Sequence, residues 1–307
     1  MRKYLSGNHQ IDPKFDFSSF SYFDAHTHFF PQRIFTAIWH YFEDNYWPIY
    51  RKGDPENLAQ ALTSEYNVNH FVILNYAHKK GIAHSLNTWT YEFCMAPNQK
   101  GIAIPFGTIH PDDNNRTQEM DRIFGVLGFA GIKLQLMVTN FHIRDKRMEQ
   151  VYKKILQYDK ILVVHIGTGP TYSNFNPQAK LQSPYVGSRH LQRFMEKYPE
   201  MKVIVPHLGA EEYEIMWDLT EVFPNLYFDT AMICAKENPA FDDKMNLIDD
   251  EKLYAISDRI LFGSDFPNIP YDFRNSVLGW LERDMEYSFY EKLFFCNAKS
   301  LFKSYLK

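Results

Sequence analysis

The chain has 307 residues, of which 17% are aromatic, so it can form one large α/β domain or two ordinary ones with a bulky core. A formal charge of −4 and a pI near 6.3 argue against a nucleic acid or an anionic membrane as the main partner. No apolar run approaches the roughly 20 residues that span a bilayer. We therefore expect a small-molecule partner, and homodimerisation stays open.

The cysteines and the N-terminal segment indicate a cellular location. Cys94, Cys234 and Cys296 are odd in number and far apart, which argues against a disulfide framework. The segment 1–20 contains no apolar core of the signal-peptide kind. Together these features predict a cytoplasmic protein with reduced thiols.

Short apolar runs rich in β-forming residues recur along the chain, and most are followed by an amphipathic segment. The predicted strands are Tyr22–Ala25, Phe71–Asn75, Ile102–Ile109, Ala130–Leu136, Ile161–Ile166, Val203–Pro206, Leu226–Asp229 and Ile260–Gly263. The predicted helices are Asn57–Tyr66, His84–Cys94, Thr117–Leu127, Lys146–Tyr158, Ser188–Lys197, Glu211–Val222, Asn246–Ile256, Phe273–Glu282 and a closing amphipathic piece, Tyr287–Tyr305. This alternation suggests parallel strands joined by crossover helices.

Two architectures share that alternation: an open doubly wound sheet and a closed (β/α)8 barrel. The open sheet usually carries a glycine-rich phosphate turn after its first strand, and the stretch DAHTHFFPQ contains no glycine. The strands are almost continuously apolar, as expected where both faces are covered. We see no linker and no repeat of fixed period. The sequence therefore predicts an α/β protein with one (β/α)8 TIM barrel domain over residues 1–307.

The segment 29–55 is too long for a simple loop between the first strand and its helix. It contains IWHYFEDNYWPIYRKGDP, which is rich in Trp, Tyr and Phe. We interpret it as an aromatic-rich insertion after the first strand. It either forms a helix with a packing loop or builds an aromatic wall over a pocket at the mouth of the barrel.

Polar side chains stand where several predicted strands end. His26 and His28 follow the first strand, and the fifth, sixth and eighth strands lead to His165, His207 and Asp265. In a (β/α)8 barrel these C-terminal strand ends form the face on which active sites assemble. Imidazole and carboxylate groups suit Zn, Fe, Ni or Mn. The pattern therefore predicts a divalent metal site at this face, and no organic cofactor is expected.

The motifs DAHTHFFP, GIKLQ, VVHIGTGP, VPHLGAEE, LFGSDFP and NAKSLF resemble those of the amidohydrolase superfamily. They are most similar to its amidohydrolase-related branch, which includes enzymes like aminocarboxymuconate-semialdehyde decarboxylase. The resemblance runs from Tyr22 to Phe302, with the motifs in the family's order. It implies a metal-dependent TIM barrel that acts on C–N, C–O or, in some members, C–C bonds.

Carried over by position, the resemblance implies the metal ligands His26, His28, His165 and Asp265. It places His207 where the family's sixth-strand histidine contacts substrate or water. Lys133 falls where binuclear members carry a carboxylated lysine. Gln135 departs from the branch's KLHP pattern, and one metal ion is expected, with Lys133 in a structural role. We expect zinc, with Mn, Fe and Ni as alternatives.

These parts suit hydrolysis of a small amide, imide, lactone or ester by metal-activated water. Asp265 would carry the proton, and His207 would polarise a carbonyl or stabilise the developing oxyanion. The alternative is non-oxidative decarboxylation of a small carboxylic acid, aromatic acids included, and this reaction needs a cation for the substrate carboxylate. Arg51, Arg144 and Arg189 are candidates for that cation.

Tyr76 and His78, which follow the second strand, are predicted substrate contacts together with Arg51. A phosphodiesterase of the metal-dependent DNase type is disfavoured. It would need a carboxylate ligand on a middle strand, where this chain has Lys133 and Gln135, and a basic surface. A barrel that only binds its ligand would be expected to have lost one of the five predicted site residues, and all five are present.

Overall fold

Eight parallel strands pair in the order of the sequence in the computed structural model of the protein. The structure describes residues 5–6, 10–11, 17–168, 183–240 and 248–306. The barrel strands are β1 Tyr22–Thr27, β2 Val68–Leu74, β3 Ala103–Gly107, β4 Gly131–Gln135, β5 Ile161–His165, β6 Lys202–Val205, β7 Leu226–Asp229 and β8 Ile260–Leu261. A short antiparallel pair, Leu5–Ser6 with Gln10–Ile11, precedes them.

The barrel closes between its first and last strands. The strand β8 itself has only two residues, and the backbone beyond it continues the pairing. The Ala25 N–H donates to the Phe262 carbonyl at 2.7 Å, and the Asp265 N–H donates to the His26 carbonyl at 2.9 Å. A parallel bridge between Thr27 and Phe266 lies further along. The predicted (β/α)8 barrel is confirmed, and its closure brings Asp265 next to His26.

Helices follow most strands, as expected for crossover connections. They are α1 Gln32–Asn45, α2 Pro55–Ser64, α3 Ala83–Met95, α4 Arg116–Asp121, α5 Leu136–Thr139, α6 Glu149–Gln157, α7 Ser188–Lys197, α8 Tyr213–Asp218, α9 Asp250–Ala255, α10 Phe273–Leu281, α11 Tyr287–Glu291 and α12 Asn297–Leu301. The first two residues of the predicted helix Asn246–Ile256 lie outside the described residues. No described helix is long and apolar enough to cross a bilayer.

Helix α2 begins earlier than predicted because two local signals start it. Asp54 caps the helix, with its side chain accepting a hydrogen bond from the Asn57 N–H at 2.8 Å. Pro55 occupies the first turn, where its missing N–H costs nothing. The helix was predicted to start at Asn57 from its amphipathic pattern, and that pattern contains no information on the capping residue or the proline.

Side chains alternate between the barrel interior and the layer under the helices. On β5, Ile161 and Val163 belong to the interior cluster, whereas Leu162 and Val164 pack outward. On β4, Ile132 and Leu134 pack outward in the same way. The alternation therefore directs Lys133, Gln135 and His165 into the barrel.

The insertion after β1 packs over the segment that follows β8. Phe35 and Trp39 on α1 are buried in the outer apolar cluster. The Trp47 indole N–H donates to the Asn268 carbonyl at 2.9 Å, and the Tyr50 N–H donates to the Ile269 carbonyl at 3.0 Å. The helix-with-packing-loop interpretation therefore describes most of this segment.

Gly131 lies where β4 approaches β5 too closely for a side chain. An added Cβ would lie 2.0 Å from the Ile161 carbonyl oxygen and 2.5 Å from Phe106 Cε1. We expect Gly131→Ala to lower the free energy of unfolding by roughly 3 kcal/mol, because a backbone clash cannot be relieved by a rotamer change. Urea unfolding followed by circular dichroism measures this value.

The matched control is Gly53→Ala, whose Cβ would make an ordinary contact of 3.5 Å with Leu58 Cγ. This variant should unfold within about 0.5 kcal/mol of the wild-type chain. Equal urea midpoints for the two variants would contradict the close packing of β4 against β5.

Candidate metal centre

His26, His28 and Asp265 bring three ligand atoms together where β1 and β8 end. The two histidine Nε2 atoms are 3.2 Å apart. One carboxylate oxygen of Asp265 lies 2.9 Å from His28 Nε2 and 3.4 Å from His26 Nε2. All three residues are buried, and their ligand atoms lie within 4.8 Å of one another. We call these residues the ligand trio.

The hydrogen bond made by Nδ1 of each histidine in the trio determines which ring nitrogen carries the proton. His26 Nδ1 is 2.8 Å from a carboxylate oxygen of Asp229, and His28 Nδ1 is 2.7 Å from the Leu74 carbonyl oxygen. Because these oxygens accept hydrogen bonds, each Nδ1 carries the proton and donates it. Both neutral rings therefore present an unprotonated Nε2 to the Asp265 carboxylate. Three acceptors with no proton between them fit a shared divalent cation.

The electrostatics of His26 and Asp265 favour the same protonation states. Burial lowers the pKa of His26 well below its usual 6.5, and the charge of Lys133 lowers it further. Burial alone would raise the pKa of Asp265, but the neighbouring imidazoles, His28 first and then His26, hold it below its usual value. Neutral imidazoles beside an ionised carboxylate are the forms that bind a metal.

The backbone of Asp265 is held in a demanding conformation. Its φ is 71°, in the left-handed region that aspartate tolerates better than most residues but that still carries a cost. The hydrogen bond from the Asp265 N–H to the His26 carbonyl helps to hold this conformation. The carboxylate is thereby fixed beside the two histidines instead of following the direction of β8.

His165 and His207 lie beside the ligand trio. The His207 ring centroid is 5.3 Å from that of His26 and 4.8 Å from that of His165. His207 Nδ1 donates to the Ala231 carbonyl at 2.8 Å, so Nε2 of the neutral ring is an acceptor. Gln135 Nε2 is 3.0 Å from His165 Nδ1. The structure thus brings all five predicted site residues to one end of the barrel, with His165 outside the trio.

Asp229 at the end of β7 was not singled out from the sequence. Its carboxylate accepts from His26 Nδ1 and also from the backbone N–H groups of His207 and Ala231, both at 3.1 Å. Burial raises its pKa, while the charges of His207 and Lys133 lower it. The sequence could have indicated Asp229 by the same pattern that indicated His165: a polar residue at the end of an apolar strand.

Lys133 is buried inside the barrel, with 1% of its surface exposed. Its ammonium has no hydrogen-bond partner among the described residues. Burial lowers its pKa to about 8, although the charges of Asp229 and Asp265 act in the opposite direction. A positive charge there offsets part of the negative charge of the two carboxylates. The structural role of Lys133 stays a prediction.

Tyr76 and His78, two predicted substrate contacts, lie after β2. The Tyr76 ring meets the His28 ring edge-on at 5.8 Å and the Phe30 ring at 5.5 Å, forming an aromatic wall beside the trio. Burial lowers the pKa of His78, as do the charges of Lys79 and His110. The side chain of His110, which follows β3, is also buried and was not singled out from the sequence.

Arg51 is the third predicted substrate contact, and its guanidinium is already bound. It donates two hydrogen bonds to the Glu65 carboxylate, at 2.6 and 2.7 Å, and one to the Tyr66 hydroxyl at 3.1 Å. Arg144 and Arg189, the other cations considered for a substrate carboxylate, have exposed side chains. A substrate would have to displace Glu65 to use Arg51.

The closed barrel and the imidazole and carboxylate groups at its C-terminal rim define a class: TIM-barrel proteins whose rim carries the side chains that bind metal ions. The family model described as amidohydrolase matches residues 23–303, and the chain belongs to this family. The resemblance of its motifs is confirmed by this match. A search of the curated proteins finds no match.

Solved structures share the whole fold. An uncharacterised TIM-barrel protein from Bordetella bronchiseptica has a TM-score of 0.68 at 18% identity and covers 94% of this chain and 100% of its own. A 5-carboxyvanillate decarboxylase from Novosphingobium aromaticivorans, solved with manganese, has a TM-score of 0.64 at 15% identity. The match covers 97% of this chain and 99% of the decarboxylase. A probable 2-pyrone-4,6-dicarboxylic acid hydrolase from Acinetobacter baumannii has a TM-score of 0.63 at 12% identity. The match covers 92% of this chain and 99% of that protein. At such identities the likeness shows the fold alone.

We expect the protein purified without chelator to carry about one divalent ion per chain, because the ligand trio offers acceptors without protons. The double substitution of His26 and His28 by alanine should abolish this content. Elemental analysis by mass spectrometry, after supplementation with zinc or manganese, gives the stoichiometry. Wild-type protein without a bound transition metal would contradict the site.

Lys133→Met serves as the control for nuclearity. It keeps the length of the side chain and removes the amine that a second, bridging site would require. This variant should retain about one ion per chain. Two ions in the wild-type protein, both lost in Lys133→Met, would reverse the expectation of a single metal.

The buried neutral histidines should make the metal-free protein sensitive to acid. Burial places the pKa of His26 and His165 well below the 6.5 of an ordinary histidine. As pH falls below 6.5 the unfolded state binds more protons at these two histidines, so their contribution to the free energy of unfolding should fall between about pH 7 and 5. Asp24 and Asp229, whose pKa values are raised by burial, contribute in the opposite direction, so the test is the change of slope when one histidine is removed. Urea unfolding in EDTA across this range measures the slope.

His165→Asn removes one of these titrating groups and should make the slope shallower. Asn140 is exposed and follows α5, and Asn140→Ala is the control that should leave the slope unchanged. A slope that stays the same in His165→Asn would show that His165 titrates normally in the folded protein.

Proposed function

We propose that the chain is a metal-dependent hydrolase of a small molecule with an amide, imide, lactone or ester bond. The observation that carries this proposal is the ligand trio, in which His26, His28 and Asp265 present three unprotonated acceptors at the barrel rim. Membership of the amidohydrolase family supports it. A cytoplasmic location and a small-molecule partner stay predictions from the sequence, and a homodimer stays open.

The donor set suits several divalent ions, and we propose zinc. Two imidazoles and a carboxylate are also found around iron and manganese, and the decarboxylase structure from Novosphingobium contains manganese. A divalent ion held there would supply Lewis-acid chemistry, acidifying water and polarising a carbonyl oxygen. His26, His28 and Asp265 would hold the ion, with His165 as a fourth ligand.

Asp265 is the proposed proton carrier. Its ionised carboxylate can accept a proton from the attacking water and pass it to the leaving group. His207 stands beside His26 with Nδ1 already committed to the Ala231 carbonyl. Its Nε2 accepts a hydrogen bond in the neutral ring and donates one to a carbonyl oxygen only as the imidazolium. Stabilisation of an oxyanion by His207 therefore requires the charged ring.

The aromatic wall of Phe30 and Tyr76 would receive the apolar part of the substrate. Tyr76 is packed edge-on against His28, so a ligand that touches its ring lies beside the trio. Burial raises the pKa of the Tyr76 hydroxyl, which therefore stays protonated and able to donate. We retain Tyr76 and His78 as proposed substrate contacts and place less weight on Arg51 because it is bound to Glu65.

A second candidate is non-oxidative decarboxylation of a small carboxylic acid. It is favoured by Lys133, a buried cation without a hydrogen-bond partner among the described residues, and the Novosphingobium enzyme is named for such a reaction. Hydrolysis is preferred because it requires only the ligand trio and a proton carrier.

The two reactions leave different products. The metal-loaded protein is incubated with a panel of lactones, amides, esters and aromatic carboxylic acids, and both hydrolysis products and released CO₂ are measured. Ring opening or cleavage without CO₂ supports the hydrolase. Stoichiometric CO₂ release with no hydrolysis of the other compounds supports the decarboxylase and overturns the first proposal.

Asp265→Asn tests the proton carrier. The amide keeps the shape and one ligand oxygen but cannot accept the proton, so turnover should fall by roughly 10²-fold or more while part of the metal is retained. Rates are measured with any substrate found active, alongside metal content. His207→Asn should also reduce turnover, with less effect on metal content. Near wild-type turnover of a metal-loaded Asp265→Asn variant would show that another group carries the proton.

A further inference from the structure

Gln135 is the polar residue that contacts His165 from the neighbouring strand. The two residues are register partners at the ends of β4 and β5, and both side chains point into the barrel. Gln135 Nε2 lies 3.0 Å from His165 Nδ1. The other end of the amide, Oε1, is buried and has no hydrogen-bond partner among the described residues.

The orientation of this amide decides which nitrogen of His165 carries the proton. With the amide nitrogen donating to Nδ1, neutral His165 is protonated at Nε2 and has no lone pair there for a metal. This is the opposite of His26 and His28, whose Nδ1 atoms donate and whose Nε2 atoms are unprotonated. A half-turn of the amide would place Oε1 on the imidazole, accept its Nδ1 proton and release Nε2.

We propose that Gln135 is a positioning residue that makes His165 a ligand of the metal centre, an inference that rests on the proposed metal-dependent function. In the metal-loaded protein the amide oxygen accepts a hydrogen bond from His165 Nδ1, so that Nε2 faces the ion with its lone pair free. A glutamine can serve both tautomers of His165 because its amide offers a donor at one end and an acceptor at the other.

Two variants of similar size separate this role from packing. Gln135→Glu has a carboxylate that accepts from His165 Nδ1 but cannot donate to it. Gln135→Met has nearly the same length and makes neither hydrogen bond. Loss of an oriented partner of a metal-bound histidine typically weakens metal binding by about 10- to 100-fold.

Zinc affinity measured by competition with a chromogenic chelator gives the first readout, which needs no substrate. We expect Gln135→Met to bind zinc about 10- to 100-fold more weakly than wild type, and Gln135→Glu to stay within about threefold of wild type or to bind more tightly. Wild-type affinity in Gln135→Met, or a loss of equal size in both variants, would overturn the proposal. A wild-type protein that binds no zinc would overturn the metal centre itself.

A double-mutant cycle with His165→Ala shows whether the effect passes through His165. In the His165→Ala background, Gln135→Met should cause little further loss of zinc affinity. A further loss as large as in the wild-type background would mean that Gln135 acts by another route, and the proposal would fail.

The tautomer of His165 provides a spectroscopic readout. Nitrogen-15 NMR of histidine-labelled, zinc-loaded protein, with His165→Ala to assign the signal, should show His165 protonated at Nδ1 and metal-bound at Nε2. A signal from Nε2–H in the loaded protein would overturn the proposal, even if the affinities follow the expected order.

Discussion

The buried hydrogen bond between Asp229 and His26 is the contact on which the site depends. One carboxylate oxygen holds the His26 proton on Nδ1, which leaves Nε2 as a lone pair directed at His28 and Asp265. The other oxygen accepts from the backbone N–H groups of His207 and Ala231. A single carboxylate at the end of β7 thus fixes His26, one proposed ligand, and the start of the loop that carries His207. Its burial is tolerated because its oxygens are hydrogen-bonded and a buried ammonium lies nearby.

Charge balance inside the barrel explains why so many ionisable groups can share one end. Burial raises the pKa of Asp24 to about 7 even though Ser264 donates to it, and burial lowers the pKa of Lys133 to about 8. At neutral pH, Asp24 is thereby brought close to its neutral form, whereas Lys133 keeps its positive charge and Asp265 stays ionised. A divalent ion would reinforce that state, since it competes with protons for the imidazole nitrogens and favours ionised carboxylates. Metal binding and acid sensitivity are therefore two aspects of the same equilibrium.

The barrel and the rim positions of the site residues could be predicted because each depends on a local pattern. His165 and His207 end apolar strands, and parallel strands bring such ends to one face. Asp229 was missed although it also ends a strand, since its role appears only when closure of the barrel brings the end of β7 within hydrogen-bond distance of His26 on β1. The pairing of Arg51 with Glu65 was missed for the same reason: it joins side chains on different segments. The ring nitrogen that carries the proton in each histidine could not be predicted from the sequence. It depends on acceptors such as the Leu74 backbone carbonyl, which any residue at that position would supply.

The depth of Lys133 bears on the choice between the two proposed reactions. Strand register pairs Gln135 with His165 at the rim and Lys133 with Val163 one layer further into the barrel. A substrate carboxylate that reached the ammonium would have to pass the ring of side chains around the ligand trio. The charges that act on Lys133 are already those of Asp229 and Asp265. Lys133 is therefore better placed to balance the charge of the site from below than to bind a substrate, and hydrolysis, which needs no such cation, is the reaction that the arrangement favours.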